Sequence, residues 1–294
     1  FNEVNSLAVS TGNDRSQTYV SGSVANARGI VHNNNVNRYN ITVRNTTDIV
    51  KDILTMDLNF TYGRVFEQNM IAQGEYGNPI VPVYLFPAGD DFSKLQVYER
   101  YDNGRGLKTQ YWPYDFVMPM QNPYWITEHQ KWQNNKNRYM GSAQLSYKPF
   151  KWLTLSARAK FDRTDQTREN KFDAGTNTLF TEGSVHGSYR NDKTFTEQKF
   201  GEVLATVNKY FGDNIVNISG VVGANIDDIL SRQDFLNAPL MTVNNKFDLS
   251  NMDMANAKTT SFSDGFHVQN QSVFANAQVG YRSSIYLDMT FRAD

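Results

Sequence analysis

The residues with the most chemistry to offer lie between Arg64 and Asn137. Tyr84, Phe86, Tyr111, Trp112, Tyr114, Tyr124 and Trp125 fall in this segment, which also holds Trp132 and several Pro- and Gly-containing turns. Flat rings give stacking area at low entropy cost, and this suits a surface for sugars or peptides. The same rings can instead pack the segment against itself, and a few exposed rings are compatible with a buried majority. A connection longer than about 15 residues is usually functional or disordered, and the aromatic content argues against disorder.

Other chemistry is thin. Asp90-Asp91 and Asp227-Asp228 are pairs of acids without the regular oxygen spacing of a Ca²⁺ loop. His32, His129, His186 and His267 are scattered and form no HxxxH or HExxH motif. GxSxG, Walker A and strand-linked GxGxxG motifs are missing too. With 0 cysteines, thiolate ligands, thiol nucleophiles and disulfides are excluded. The expectation is no catalytic residue, no metal and no cofactor.

The elements that must position these rings are strands. Leu54, Met56, Leu58, Phe60 and Tyr62 alternate with Thr55, Asp57, Asn59 and Thr61, and Leu153 to Phe161 and Ile285 to Phe291 repeat the pattern. Period two with one apolar and one strongly polar face predicts half-buried strands. Ten are placed, at 5–12, 17–26, 37–46, 53–63, 138–147, 152–162, 200–211, 214–225, 267–281 and 284–292. Their length of about ten residues exceeds the globular mode and matches what a tilted strand needs to cross a bilayer.

Short and long connections alternate. Asn13–Ser16, Asp48–Asp52, Lys148–Lys151, Gly212-Asp213 and Arg282-Ser283 are tight; the segments around Gly29, from Arg64 to Asn137, from Arg163 to Lys199 and from Ile226 to Phe266 are long. All long loops therefore emerge at one end, as in an outer-membrane barrel. Small residues such as Gly141 and Ala143 then face lipid. Arg44, Asp57, Arg158, Lys160, Asp288 and Arg292 are the candidate lumen-facing groups, and Arg38 and Asp162 join them inside. Trp152, Tyr147, Phe150 and Phe211 fit an interfacial girdle at the short-turn end.

Composition agrees. Mean hydropathy is −0.57, and no apolar run reaches about 18 residues, so a helical membrane protein is excluded while a barrel is not. The net charge of −1 and the lack of a basic stripe make nucleic acid a poor partner.

Several stretches resemble the SusC/RagA class of TonB-dependent outer-membrane transporters of Bacteroidetes. They are Leu7–Asp14 with Tyr19-Val20-Ser21 and Gly29-Ile30-Val31, Arg38-Tyr39-Asn40, and Pro82–Phe92 with Ala88 where Arg is common. Gln121-Asn122-Pro123-Tyr124-Trp125, Phe274–Tyr281 and Tyr286-Leu287-Asp288 complete the set. The resemblance runs over nearly the whole chain. It implies an all-β, antiparallel transmembrane barrel of 22 strands, of which residues 1–294 are about ten, with long extracellular loops. A plug, an N-terminal extension, a TonB-contacting box and the C-terminal strands would lie in other parts of the protein.

The resemblance further implies active uptake of glycans or oligopeptides across the Gram-negative outer membrane, energised by TonB-ExbB-ExbD through regions outside this chain. A SusD-like surface lipoprotein would cap the loops, docking above all on 64–137, and outer-membrane lipid would surround the wall. The rival readings are a complete ten-stranded outer-membrane hydrolase and a soluble β-sandwich binding module.

Overall fold

A computed structural model describes residues 2–70, 76–114, 120–212, 215–282 and 284–294. Asp213, Asn214 and Ser283, which belong to two predicted turns and one predicted strand start, lie outside the described residues. In chain order the elements are β1 (Asn2–Gly12), β2 (Ser16–Arg28), β3 (Asn35–Val50), β4 (Leu54–Gln68), α1 (Ile80–Tyr84), β5 (Glu99–Asp102), β6 (Leu107–Gln110), α2 (Pro123–His129), β7 (Gln130–Phe150), β8 (Leu153–Asp173), β9 (Gly187–Phe211), β10 (Val216–Pro239), β11 (Thr260–Tyr281) and β12 (Ile285–Ala293). Ten of the strands form one antiparallel sheet in the order β1-β2-β3-β4-β7-β8-β9-β10-β11-β12, and β5 with β6 makes a separate hairpin. Among the described residues no second layer covers the sheet, so the β-sandwich reading is corrected.

The register puts the apolar residues on one continuous face. Val9, Val20, Val43, Phe60, Gly141 and Phe161 are successive partners across β1 to β8. Met56, Leu145, Ala157, Val203, Ala224, Val273 and Ala293 form a second row across β4 to β12. These side chains are largely exposed. On the opposite face Thr46, Asp57, Gln144, Arg158, Glu202, Asn225 and Ser272 are partners in register.

In β4, β7, β8 and β11 the apolar face is confined to a band of about nine residues, 54–62, 139–147, 153–161 and 273–281, which is the length a tilted strand needs in a bilayer. The band is staggered. Its upper border is Tyr62 in β4 and Val273 in β11, yet the β11 residue in register with Tyr62 is His267. That is about one residue per strand and corresponds to a strand tilt of about 40°. Rings mark both borders. Tyr62 and Tyr139 lie 5.1 Å apart at the upper one; Phe150 stacks on Trp152 at 5.3 Å at the lower one, with Lys209 Nζ 4.7 Å from the Trp152 ring.

The strands run further than the sequence pattern predicts. The segments expected at 138–147, 152–162, 200–211, 214–225 and 267–281 are 130–150, 153–173, 187–211, 216–239 and 260–281. Apolar alternation stops at the top of the band, whereas backbone pairing continues. Amides and acids hold this extension: Asn134 donates to Glu67 at 2.7 Å, Gln198 to Asp227 at 2.8 Å and Gln233 to Asp192 at 2.9 Å. The long connections shrink to 29–34, 69–129, 174–186 and 240–259, all at one end, and the short turns share the other end. The hairpin and the two helices inside 69–129 were not foreseen.

Candidate functional site

The rim formed by the long connections holds most of the buried side chains. Leu95, Trp112, Tyr114 and Met120 form a core, with Val81, Leu85, Phe86 and Tyr124 packed against it. Trp112 Nε1 donates to the Tyr114 carbonyl at 2.9 Å, and Phe86 meets the Tyr114 ring edge-on at 5.4 Å. Trp125 is only 1% exposed; it stacks on His129 at 3.8 Å and donates from Nε1 to Thr176 Oγ1 at 3.1 Å. As ring faces for a ligand, Trp112, Tyr114 and Trp125 are already occupied. Their role here is packing, because a connection of this length can only keep one conformation by building its own core. Tyr111 lies under the Arg100 guanidinium at 3.3 Å. Tyr84 is the predicted ring that stands in solvent, 84% exposed.

The Asn122-Pro123-Tyr124-Trp125 stretch turns out to be a structural joint. Asn122 is fully buried, and its side-chain oxygen caps α2 by accepting from Tyr124 N at 3.0 Å. Its amide donates to the carbonyls of Leu95 (2.9 Å) and Tyr111 (3.2 Å). Asparagine at the N-cap with proline next is a helix-start signal that the sequence did contain.

The C-terminal end of α2 clasps the neighbouring segments. His32 Nε2 lies 2.8 Å from Glu128, Asn33 and Asn69 both donate to the Thr127 carbonyl, and His129 Nδ1 lies 2.9 Å from Asp173. Glu99 approaches His129 Nε2 at 3.7 Å and is itself paired with Lys108. Gly175 must be glycine: its φ is +97°, and a Cβ there would meet the Lys108 carbonyl at 2.4 Å. None of these braces was singled out from the sequence, because each joins residues distant along the chain.

Asp90 and Asp91 do not form a cation site. Asp90 is engaged by Lys94 and by the Tyr114 hydroxyl, which hold its carboxyl down to about 2; the same contact, with burial, pushes the Tyr114 phenol up to about 12. Asp91 spends its oxygens on Ser93. Asp227 and Asp228 point to opposite faces of β10, toward Gln198 and toward His267. Among the described residues no cluster of three metal-ligating side chains exists.

The six candidate lumen residues all share the polar face. Arg44 pairs with Asp57 at 2.8 Å, Arg158 with Glu202 at 2.5 Å and Arg292 with Asp294 at 2.8 Å. Asp288 accepts from Gln278 at 2.8 Å, and Lys160 Nζ lies 5.4 Å from the Phe200 ring centroid. The wall thus neutralises most of its charge within itself, leaving a polar but weakly charged surface.

The rim also exposes apolar side chains from every long connection: Ile30, Tyr84, Leu179 and Leu249. Singly exposed apolar groups are ordinary on a protein surface; the aliphatic ones were not singled out because the sequence reading looked for rings.

No protein-family model matches the sequence, and no curated protein matches it significantly. Solved structures do match in shape. The RagAB peptide importer in its open-open state superposes with a TM-score of 0.73 at 14% identity, covering 99% of this chain and 31% of that one. Its closed-closed state gives 0.70 at 15% identity with the same coverage. The ferric-catecholate import receptor Fiu from E. coli K12, open form, gives 0.57 at 9% identity, covering 99% of this chain and 42% of that one. The chain therefore spans about a third of the length of the first of these structures. Its fold, an open run of tilted antiparallel strands with loops at one rim, is that of the wall of outer-membrane β-barrels such as these importers and receptors.

Proposed function

We propose that residues 1–294 are part of the barrel domain of a TonB-dependent outer-membrane importer in Gram-negative bacteria, with a plug and a TonB-contacting segment supplied by other parts of the protein. The observation that carries this is the apolar band: about nine residues high, ringed at both borders and topped by strands whose outward face is largely polar. The polar face with Arg44, Asp57, Arg158, Lys160, Asp288 and Arg292 lines the substrate path or meets the plug. The exposed rim, with Tyr84 at its most prominent point, receives a SusD-like surface lipoprotein. The cargo is an oligopeptide or a glycan, and likeness to a peptide importer favours the oligopeptide. No bond is made or broken. The importers in the comparison support this over a hydrolase, and the His129–Asp173 pair has Glu99, rather than a nucleophile, at its other nitrogen.

These 294 residues contain no cysteine, so a cysteine placed among them reports on its own position once any cysteine elsewhere in the protein has been replaced. Single cysteines are placed at Tyr84, Ala157 and Thr167 of the full-length protein in cells. A membrane-impermeant thiol reagent labels the first and third and spares Ala157→Cys. Equal labelling of all three overturns the membrane placement. Tyr84→Ala combined with Leu249→Ala lowers co-purification of the lipoprotein; unchanged recovery overturns the docking assignment.

A further inference from the structure

The inner face of the wall is polar at most positions, and above the apolar band one patch departs from this. Phe235 shares the face of Asn225 on β10, and Phe262 and Phe266 share the face of Ser272 on β11, so all three rings turn inward. Phe235 is in register with Phe262, and the two rings stack at 4.8 Å and 14°. Arg190 of β9 lies over the Phe235 ring, its Cζ 4.6 Å from the centroid. Phe266, four residues nearer the membrane than Phe262, stands opposite Ser231, a side chain too small to cover it. Phe262 is 45% exposed and Phe266 56%. The backing is built: Asp192, 1% exposed, lies 3.6 Å from Arg190 and 3.7 Å from Arg168 and accepts from Gln233 Nε2 at 2.9 Å.

Position narrows what can reach these rings. Phe266 and Phe262 lie seven and eleven residues above Val273, the top of the band in β11, which is roughly 18 and 28 Å beyond the hydrocarbon at about 3.4 Å per residue and 40° of tilt. They face away from lipid, on the surface that a cargo passes between the rim and membrane level. Neighbouring polar groups are already engaged, Gln233 by Asp192 and Ser231 by Thr196 at 3.4 Å. A sugar laid on these phenyls would find few free partners for its hydroxyls, whereas an apolar side chain needs none. Charge also favours a peptide. Arg168 and Arg190 share one acid, which leaves a positive charge in excess on β8 and β9. Asp264, exposed between Phe262 and Phe266 and accepting from Gly265 N at 2.7 Å, places a negative charge on β11. A peptide, with ammonium and carboxylate groups along a polar backbone, complements such a pair, and a neutral glycan does not.

We propose that Phe262 and Phe266 form the subsite that takes aromatic or large aliphatic side chains of an oligopeptide cargo. The proposal rests on the importer reading above.

The test uses the full-length protein purified from outer membranes in detergent. A tryptic digest of casein and a maltodextrin mixture are passed over it separately, and what is retained is identified by mass spectrometry. Peptides containing Phe, Tyr, Trp or Leu are expected to be retained over those without, and Phe262→Ser with Phe266→Ser is expected to lower their retention about tenfold. Phe262→Leu with Phe266→Leu, which keeps apolar area, should restore most of it. Phe266→Ser alone, which leaves the Phe235 stack intact, serves should the double variant fail to assemble. Undiminished retention by the assembled serine variant overturns the subsite. So does a wild type that retains no peptide or retains peptides without regard to their side chains, and TonB-dependent uptake by the same cells would then leave the importer reading standing. Maltodextrin retained in place of peptides, and lost in the serine variant, overturns the peptide assignment. A protein missing from the outer-membrane fraction sinks the importer reading first, before any cargo is added.

Discussion

The lower and upper halves of the same strands obey different rules. Between the short turns and the upper ring border, each strand shows apolar residues on one face and polar ones on the other. Above that border β7 to β9 continue with mostly polar residues on both faces, β10 and β11 mix in apolar ones such as Leu230, Phe235, Phe262 and Phe266, and side chains bridge strand to strand through amides and carboxylates. Backbone geometry does not change at the border; the surroundings do. Alternating hydropathy records a boundary between two media, and a strand with one medium on both sides loses the signal while keeping its hydrogen bonds. The rim above reverses the arrangement again, since there the apolar side chains turn inward on each other.

The contrast can be broken at the rim with the largest effect. Trp125→Ala should empty a buried site and cost about 3–5 kcal/mol, loosening the 69–129 connection while the sheet still assembles. Protease cleavage within 69–129 on intact cells should rise, with outer-membrane yield unchanged; loss of the assembled protein would mean that the rim core also supports the wall. The band comes next. Ala157→Arg puts a charge against hydrocarbon at a cost of about 2–4 kcal/mol and should deplete the protein from the outer membrane. Thr167→Arg, on the same face of β8 but above the border, should be tolerated. Similar yields for the two would erase the distinction between the halves.

Asn122→Ala should cost about 1–3 kcal/mol by removing a helix cap and stranding two carbonyls. It would show as a smaller rise in the same cleavage. The smallest effect is in pH. Asp90 has a folded pKa of about 2 against an ordinary value near 4, so its contribution is complete above about pH 4 and is lost as pH falls through 2. Tyr114, raised to about 12, favours the folded rim below about pH 10 and loses that contribution as pH rises through 12. The emission of Trp112, which packs on Tyr114 at 5.5 Å, should stay flat between these windows and shift inside them.

What the sequence could and could not convey follows from the same contrast. The band was legible residue by residue, from Leu54 to Tyr62 and from Leu153 to Phe161, because lipid and water impose opposite demands on neighbouring positions. The one-sided rim was legible from connection lengths alone. The upper strand halves were not, since Asn134, Gln166 and Gln198 look the same in a loop as in a ladder. At the rim the rings were conspicuous, but their types alone left open whether they faced a ligand or each other. Trp112 and Trp125 are large because they fill space, whereas Ile30 and Leu249 stand in solvent without any local mark. Asn122 and Asn69 look like two of many asparagines until the chain brings a carbonyl to each.

The stagger of the apolar band has a consequence for anything that moves along the inner surface. Side chains paired straight across the sheet do not sit at one depth. The row Ser10, Tyr19, Arg44, Asn59, Ser142, Lys160, Phe200, Asp227 and Asn270 climbs from the membrane interior toward the rim as it passes from β1 to β11. Over the five spacings from β4 to β11 it rises by about 15 Å while advancing about 18 Å around the wall. The interior is thus threaded like a screw. In the transport role proposed above, a cargo handed from each side chain to its cross-strand neighbour would turn as it descends.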